Sequence, residues 1–324
     1  MEYRKLGRSG LDVSSIGLGC NNFGMLMNTQ QTKNVVDAAV DHGITFFDTA
    51  DVYGGGGKSE SYLGKALGKN RSKVIIATKF GNPMGDSVFD RGGSRRYILK
   101  AVEASLTRLG TDYIDLYQIH NPDPNTPIEE TLKTMDDLVR QGKVRYVGCS
   151  NFSGWQLVES HWISQIAGLD SFISAQNRYS LLSRGIEADL LPACEEYGVG
   201  ILPFFPLESG LLTGKYKSGK SPKKGTRWHA WKDRGAIANA FWSTKRFETV
   251  HKLEKLCNSY GHDLLDLAIG WLLDNPNVSS VIAGATKVNQ IKRNVKASSF
   301  RPTADESQAI DKITPPIPSA SSWG

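Results

Sequence analysis

Short apolar runs alternate along this chain with longer stretches in which apolar residues recur every three or four positions. Short runs of this kind are typical of buried strands, and the longer period is typical of helices that bury one face. The clearest helical stretch is 95–109, where steps of four, four and three residues separate Ile98, Val102, Leu106 and Leu109. Alternating strands and helices indicate consecutive βαβ units that build a parallel sheet.

The pattern contains eight strand–helix units. The predicted strands are 15–19, 45–48, 74–79, 113–120, 144–150, 172–176, 201–205 and 281–283. The predicted helices are 29–42, 59–67, 95–109, the stretch that follows Pro127, 154–167, 189–197, 263–274 and 287–297. Eight units are the number found in a closed (β/α)8 TIM barrel, so we expect a single α/β barrel domain over residues 1–324.

Three segments lie outside this repeat. Residues 1–14 contain the sequence SGLDV and predict an N-terminal β-hairpin that caps the barrel floor. Residues 207–245, after the seventh strand, are rich in Gly, Lys and Trp and predict a long loop. A loop of that length in a compact domain is usually functional or mobile. Residues 301–324 include PPIP and SASSWG, and we expect a surface tail there.

The composition is that of a soluble globular protein, with 40% hydrophobic and 22% charged residues among 324. Its four cysteines are far apart and form no CxxC pair, which argues against a zinc cluster or a disulfide scaffold. The sequence has neither the apolar stretch of a secretory signal nor the run of about 20 apolar residues that spans a membrane. These features lead us to expect a cytoplasmic protein without a membrane partner.

The formal net charge of +6 does not mark a nucleic-acid-binding protein, because the basic residues are spread along the chain. The densest basic run, 215–224, holds five lysines together with glycine, serine and proline. We interpret this run as a solvated loop, with an anion or phosphate contact as the alternative. The expected partner is therefore a small molecule rather than a nucleic acid.

Polar side chains gather at the carboxyl ends of successive predicted strands, where barrel enzymes carry their chemistry. The second strand ends in Asp48 and leads into a loop with Tyr53, the third ends in Lys79, and the fourth ends in His120. Each of these residues alone has an ordinary structural explanation, such as a helix cap or a satisfied core histidine. Their combination at one barrel mouth indicates acid–base chemistry.

A carboxylate, an ammonium, a phenol and an imidazole in one place can deliver a proton to a carbonyl oxygen. The ammonium favours the phenolate, so we expect Lys79 to lower the pKa of Tyr53 from its ordinary value of about 10. The carboxylate keeps the lysine charged and oriented, and the histidine hydrogen-bonds the substrate oxygen. The phenol then protonates that oxygen as a hydride reaches the carbonyl carbon.

Five motifs resemble those of the aldo-keto reductases in order and spacing: FFDTADVYG, ATKFG, DYIDLYQIHNPDPNTPIEE, GKVRYVGCSNF and VIAGATKVNQIKRN. The resemblance extends from RKLGRSGLDVS to the helix ending near Ala297, and it points to the branch that also includes the potassium-channel β-subunits. It implies an NADP(H)-dependent oxidoreductase that reduces aldehydes or ketones to alcohols without a metal ion. It also implies that the catalytic tetrad, with Tyr53 as the proton donor, is Asp48, Tyr53, Lys79 and His120.

The same resemblance assigns residues to the nicotinamide end of the cofactor. Ser150, Asn151 and Gln176 correspond to the residues that hold the carboxamide, whose donors and acceptor suit hydroxyl and amide side chains. Phe204 corresponds to the aromatic ring that stacks on the nicotinamide. Residues 207–215 correspond to the loop that surrounds the pyrophosphate, where glycines permit a close backbone approach.

At the other end of the cofactor, Thr286, Lys287 and Gln290 correspond to the residues that bind the adenosine 2′-phosphate, and Asn294 to a residue that contacts adenine. These residues begin a predicted helix, and a helix N-terminus favours anions. The GxGxxG fingerprint of the Rossmann fold is absent after the first strand, which agrees with a barrel reductase. The complete set implied for the cofactor is Gly19, Cys20, Asn21, Asp48, Ser150, Asn151, Gln176, Phe204, Pro206, Leu207, Ser209, Gly210, Leu211, Lys215, Gly284, Thr286, Lys287, Gln290 and Asn294.

The substrate pocket is expected near the tetrad. The residues predicted to line it are Asn22, Phe23, Tyr53, Phe80 and His120, with Trp228, Trp231 and Trp242 from the long loop. So many aromatic rings favour an apolar or aromatic carbonyl compound, whereas tryptophans packed against the barrel are the alternative. The sequence identifies neither the individual substrate nor the oligomeric state.

Two other function classes compete with a reductase. A cofactor-binding, redox-sensing or regulatory subunit with little turnover would keep the same fold and cofactor site, as the channel β-subunits do. A metal-dependent barrel hydrolase would need clustered histidine and acidic ligands. The chain has only six histidines and no HxH sequence on its first strand, which disfavours the hydrolase.

Overall fold

Eight parallel strands form the centre of the computed structural model, which describes residues 1–222, 226, 228–229 and 242–318. From the first to the seventh, each strand pairs with the next along the chain, and the eighth pairs with the first. Hydrogen bonds from Ile201 N to Asn277 O (2.8 Å) and from Ile282 N to Pro203 O (3.0 Å) join the remaining two edges. The predicted (β/α)8 barrel is therefore confirmed. Its strands are β3 (Ile16–Gly19), β4 (Phe46–Asp48), β5 (Ile75–Phe80), β6 (Ile114–Ile119), β7 (Val144–Ser150), β8 (Ser174–Gln176), β9 (Gly200–Ile201) and β10 (Val281–Gly284).

Helices connect the strands and cover the outside of the barrel. The helix predicted over 95–109 has these bounds, because Ser94 caps its first turn and Gly110 adopts the left-handed conformation that ends it (φ 65°). The helices in the described residues are α1 (Thr29–Asp41), α2 (Lys58–Leu67), α3 (Arg95–Leu109), α4 (Ile128–Arg140), α5 (Gly154–Ala167), α6 (Leu190–Tyr197), α7 (Thr244–Tyr260), α8 (Leu264–Asp274), α9 (Val288–Ala297) and α10 (Ala304–Ile313).

The predicted N-terminal hairpin closes the floor of the barrel. Its strands, β1 (Tyr3–Lys5) and β2 (Asp12–Ser14), pair antiparallel. Leu6 and Val13 are fully buried and belong to one apolar cluster with side chains of the barrel interior, such as Phe46. Because apolar groups fill the floor, the open end of the barrel lies at the carboxyl ends of the strands.

Two helices were not predicted. Helix α7 follows the long loop, and α10 lies where the sequence predicts a surface tail over 301–324. That prediction is wrong for residues 304–313, because Ile310 is fully buried in the cluster that α7 also joins. Thr303 and Glu306 cap α10 reciprocally, a sequence signal that the neighbouring prolines obscured. Residues 315–318 are exposed, and 319–324 lie outside the described residues.

The predicted long loop begins with a 3₁₀ turn, Glu208–Thr213, and ends at Ser243, which caps α7. Trp228 is buried, and its ring lies 5.2 Å from that of Trp242. These two tryptophans therefore pack against each other. This agrees with the alternative that the loop tryptophans serve packing rather than line the substrate pocket. Trp231 and the lysines at 223 and 224 lie outside the described residues.

No helix in the described ranges is long and apolar enough to cross a membrane.

The buried position of α10 predicts that this helix is part of the folded domain. Ile310→Ala should lower the free energy of unfolding by about 2–5 kcal/mol, because it leaves a cavity in the cluster around α7. Urea denaturation measures the change. Ile317→Ala is the control, since that side chain is 42% exposed and its loss should change stability by less than about 0.5 kcal/mol. Equal, small effects of the two substitutions would contradict the structure of this segment.

Candidate active site

A buried ion pair lies at the open end of the barrel. Lys79 Nζ is 2.7 Å from Asp48 Oδ1, and it also donates to the carbonyl oxygen of Thr49 at 2.8 Å. The two side chains meet because β4 and β5 are adjacent parallel strands and Asp48 is in register with Ala77, two residues before the lysine. Gln176 Nε2 donates to the same Asp48 oxygen at 2.7 Å. The fully buried ammonium is thereby paired, which removes the large cost of an isolated buried charge.

Tyr53 and His120 complete the group that the sequence predicts. Lys79 Nζ lies 5.2 Å from the centroid of the Tyr53 ring. The Tyr53 and His120 rings meet edge to face, with centroids 5.6 Å apart. The structure thus brings Asp48, Tyr53, Lys79 and His120 into one cluster at the ends of three neighbouring strands and the loop after β4.

Burial and charge fix the protonation of Tyr53, Lys79 and His120. Burial raises the pKa of Tyr53 and outweighs the opposing effect of Lys79, so the phenol pKa lies above its ordinary value. The predicted net lowering is therefore wrong, because the sequence does not reveal how deeply the ring is buried. Burial lowers the pKa of Lys79, but Asp48 and Tyr53 outweigh it and keep the ammonium charged. Burial, with the Lys79 charge, lowers the pKa of His120 to about 3.

A cleft of about 600 Å³ runs from this cluster along the barrel mouth to the N-terminus of α9. Most of the predicted cofactor residues line it: Gly19, Asn21, Asp48, Ser150, Asn151, Gln176, Phe204, Pro206, Leu207, Ser209, Gly210, Lys215, Gly284, Thr286, Lys287, Gln290 and Asn294. Asn22, Tyr53 and His120 line it as well. The sequence did not single out the other lining residues, which are Leu26, Phe205, Thr213, Thr226, Leu265, Ile282 and Arg293.

Four residues predicted for the site lie in the core and do not line the cleft. Phe80 follows Lys79 on β5, so it points to the opposite side of the strand, where its ring lies 4.8 Å from that of Tyr117. Cys20 and Phe23 are fully buried in the same apolar cluster as Phe80. Leu211 is buried in the cluster around α7. The structure thus places these four side chains in the core rather than on the surface of the cleft.

The end of the cleft beside the tetrad presents hydroxyl and amide groups held in fixed directions. Ser150 Oγ donates to the carbonyl oxygen of Gln176 at 2.8 Å. Asn151 Nδ2 donates to Ser150 Oγ at 3.1 Å and to the carbonyl oxygen of His120 at 2.9 Å. Asn151 adopts a left-handed backbone conformation (φ 60°), which is common at functional sites. Three polar side chains at the carboxyl ends of β7 and β8 thus line the same cleft.

Beyond the tetrad, the cleft has groups that suit phosphates. Ser209 Oγ is buried and has no hydrogen-bond partner in the described part of the chain. Gln290 Oε1 accepts from the backbone N–H groups of Thr286 (2.7 Å) and Lys287 (3.1 Å) at the start of α9. Lys287 and Arg293 line the cleft, and neither forms an ion pair with a carboxylate in the described ranges. An unpartnered hydroxyl and two cations fit an anionic dinucleotide.

A second buried carboxylate lies behind the tetrad, and nothing in the sequence pattern marked it. Asp51 is buried, and it accepts from the hydroxyl of Tyr97 at 3.3 Å. Its other oxygen has no partner in the described residues. Burial, together with the charge of Glu60, raises the pKa of Asp51 to about 7.

Within the described ranges, no three His, Cys, Asp or Glu side chains are placed to hold a metal ion.

Comparison with known proteins gives matches over almost the entire chain. The sequence profile of the aldo/keto reductase family matches residues 15–315. A probable voltage-gated potassium channel subunit beta of Oryza sativa subsp. japonica is 38% identical over 319 residues, or 97% of this chain and 95% of that protein. An uncharacterized oxidoreductase of Bacillus subtilis is 38% identical over 307 residues, or 92% and 91%. Versiconal hemiacetal acetate reductase of Aspergillus parasiticus is 34% identical over 348 residues, or 99% and 98%.

The pKa of Asp51 predicts a pH-dependent gain in stability for Asp51→Asn. The pKa of this carboxyl group rises from 3.8 to about 7 on folding, so the folded protein loses stability as the pH rises through that interval. Ionisation of the buried carboxyl lowers the free energy of unfolding by about 4 kcal/mol at most. The variant should therefore be more stable than the wild type at pH 8, and the difference should shrink towards pH 4. Urea denaturation across this range measures it, with exposed Asp305→Asn as the control. A difference that does not change with pH would contradict the assignment.

Proposed function

Because the chain belongs to the aldo/keto reductase family, we propose that it is an NADP(H)-dependent oxidoreductase that reduces aldehydes or ketones to alcohols. The observation that carries the proposal is the contact of Tyr53, Lys79, Asp48 and His120 at one end of the long cleft. The kinship with a Bacillus oxidoreductase and an Aspergillus reductase supports the same chemistry.

Tyr53 is the proton donor in this proposal. Its raised pKa keeps the phenol protonated at neutral pH, and the adjacent ammonium of Lys79 stabilises the phenolate that forms when the proton leaves. His120, whose pKa is about 3, is neutral and can donate a hydrogen bond to the substrate oxygen without competing for the proton. Asp48 holds the lysine charged and in place.

The residues along the cleft fit the coenzyme. When bound, the nicotinamide supplies the hydride that reduces the carbonyl carbon. Ser150, Asn151 and Gln176 would hold its carboxamide, and Phe204 would pack against the ring. The segment 206–215, with its unpartnered Ser209 hydroxyl, would receive the pyrophosphate.

The far end of the cleft supports a preference for NADP(H) over NAD(H). Lys287 and Arg293 offer positive charge where a 2′-phosphate would lie, and Thr286 and Gln290 add polar contacts. Asn294 lines the same region and would contact the adenine. Only the phosphorylated coenzyme gains from these charges.

The substrate end of the cleft favours an apolar carbonyl compound. Leu26 and Phe205 line the cleft that also contains Asn22, Tyr53 and His120. We place the enzyme in a reducing compartment such as the cytoplasm, because its four cysteines are unpaired and buried.

A regulatory role is the second candidate, because one relative of this chain carries the name of a channel subunit. The Oryza relative is named as a probable channel subunit. A wild-type protein that binds NADPH tightly but oxidises it with no aldehyde or ketone would support this alternative over the reductase.

Tyr53→Phe should reduce the rate of carbonyl reduction by about 10²–10⁴-fold, since general acid catalysis contributes that much. NADPH affinity should stay near the wild-type value, because the phenol contacts the substrate oxygen and not the nucleotide. NADPH oxidation with a panel of aldehydes, and fluorescence titration of NADPH, measure the two quantities. Tyr260→Phe is the matched control on an exposed ring of α7. Activity above a tenth of wild type in Tyr53→Phe would overturn the mechanism.

Lys287→Ala should weaken NADPH binding and leave NADH binding almost unchanged. A charge-assisted hydrogen bond contributes about 1.5–3 kcal/mol, or roughly 10- to 150-fold in affinity. Titration of both nucleotides into each protein measures the change, and Lys292→Ala, also on the exposed side of α9, is the control. Equal affinity of the wild type for the two nucleotides would contradict the proposed coenzyme preference.

A further inference from the structure

Glu208 is a fully buried carboxylate directly beside the segment that lines the cleft. Its neighbours Leu207, Ser209 and Gly210 line the cleft, whereas the Glu208 side chain does not. A buried carboxylate is stable only if other groups supply charge and hydrogen bonds. The partners of Glu208 therefore indicate what this residue does for the segment.

Three side chains from two other parts of the chain hold the Glu208 carboxylate. Arg178 donates to it through Nε (3.2 Å) and Nη2 (2.5 Å), in a two-pronged geometry. Ser180 Oγ donates to it at 2.7 Å, and Arg246 Nη2 donates to Oε2. The arginine and serine at 178 and 180 follow β8, and Arg246 lies in the first turn of α7. One carboxylate thus ties the cleft segment to two neighbouring elements.

The segment needs such an anchor, because its backbone is strained. Phe205, Glu208 and Ser209 have φ values of 52°, 46° and 57°, in the left-handed region that side chains disfavour. Strained backbone of this kind persists only where the surroundings fix it, and it is concentrated at ligand-binding sites. Hydrogen bonds from charged groups are stronger and more directional than neutral ones, so this carboxylate is suited to hold the conformation.

We propose that Glu208 is a positioning residue that holds segment 205–210 in the conformation that receives the pyrophosphate of the coenzyme. This inference rests on the proposed function. The carboxylate acts through the backbone of Ser209 and Gly210 and does not contact the nucleotide itself. Its effect therefore falls on the part of the coenzyme that NADPH and NADH share, and not on the 2′-phosphate or the reacting carbonyl.

Glu208→Gln tests this role, because it keeps the size of the side chain but removes the negative charge that pairs with Arg178 and Arg246. Affinity for NADPH and for NADH should fall by a similar factor, on the order of 10- to 100-fold, by analogy with the loss of residues that support metal ligands. NADPH should dissociate faster. The single-turnover rate of carbonyl reduction at saturating NADPH should stay near that of the wild type, which a general loss of structure would not produce.

Two further variants keep the test decisive. Arg246→Lys retains the charge but loses the planar group, so it should weaken both nucleotides in the same ratio by a smaller factor, even if Glu208→Gln does not fold. Glu306→Gln is the matched control, since that buried carboxylate pairs with His262 (3.1 Å) and does not line the cleft. It should leave nucleotide affinity unchanged.

The outcomes separate this inference from the proposed function. Wild-type affinity for both nucleotides in folded Glu208→Gln and Arg246→Lys would overturn the role of Glu208 and leave the reductase proposal intact. Weaker binding of NADPH alone would also overturn it, because the effect would then lie at the 2′-phosphate. A wild-type protein that binds neither nucleotide would refute the proposed function itself.

Discussion

The ion pair between Lys79 and Asp48 is the interaction on which the site depends. An ammonium that is completely buried at the end of a strand must be paired, and the register of β4 and β5 brings the carboxylate to 2.7 Å from it. The positive charge that remains beside Tyr53 opposes the effect of burial on the phenol, and it helps keep His120 neutral. The protonation of Tyr53, Lys79 and His120 thus follows from one pair and its burial.

The closed floor of the barrel is well packed, and the strained backbone lies at its open end. Its floor is closed by apolar side chains, whereas the left-handed residues other than glycine in the described part of the chain all follow strands at the open end: Asn151, Phe205, Glu208 and Ser209. Such conformations cost energy that the rigid strands and the ion pairs around them offset. The cleft therefore combines a scaffold that fixes the acid–base groups with loops whose backbone is strained.

Much of this could be predicted from the sequence because it depends on local periodicity and on the order of the strands. Helix α3 has its predicted bounds, and the tetrad assembles because parallel strands end on the same side of a barrel. Features that depend on burial could not be predicted. The core position of Phe80, the raised pKa of Tyr53 and the anchored Glu208 all require knowledge of which groups surround a side chain. Helix α7 was missed because its apolar positions follow a segment whose composition is that of a loop.

The dependence of the site on the buried pair can be measured by a double-mutant cycle on the single-turnover rate of carbonyl reduction. The four proteins are the wild type, Asp48→Asn, Lys79→Met and the double variant, each saturated with NADPH and shown to be folded by circular dichroism. If the carboxylate acts through the lysine, each single loss is large and the double variant is no slower than the slower single variant. Losses that multiply in the double variant would show that the two residues act independently, and would contradict the account.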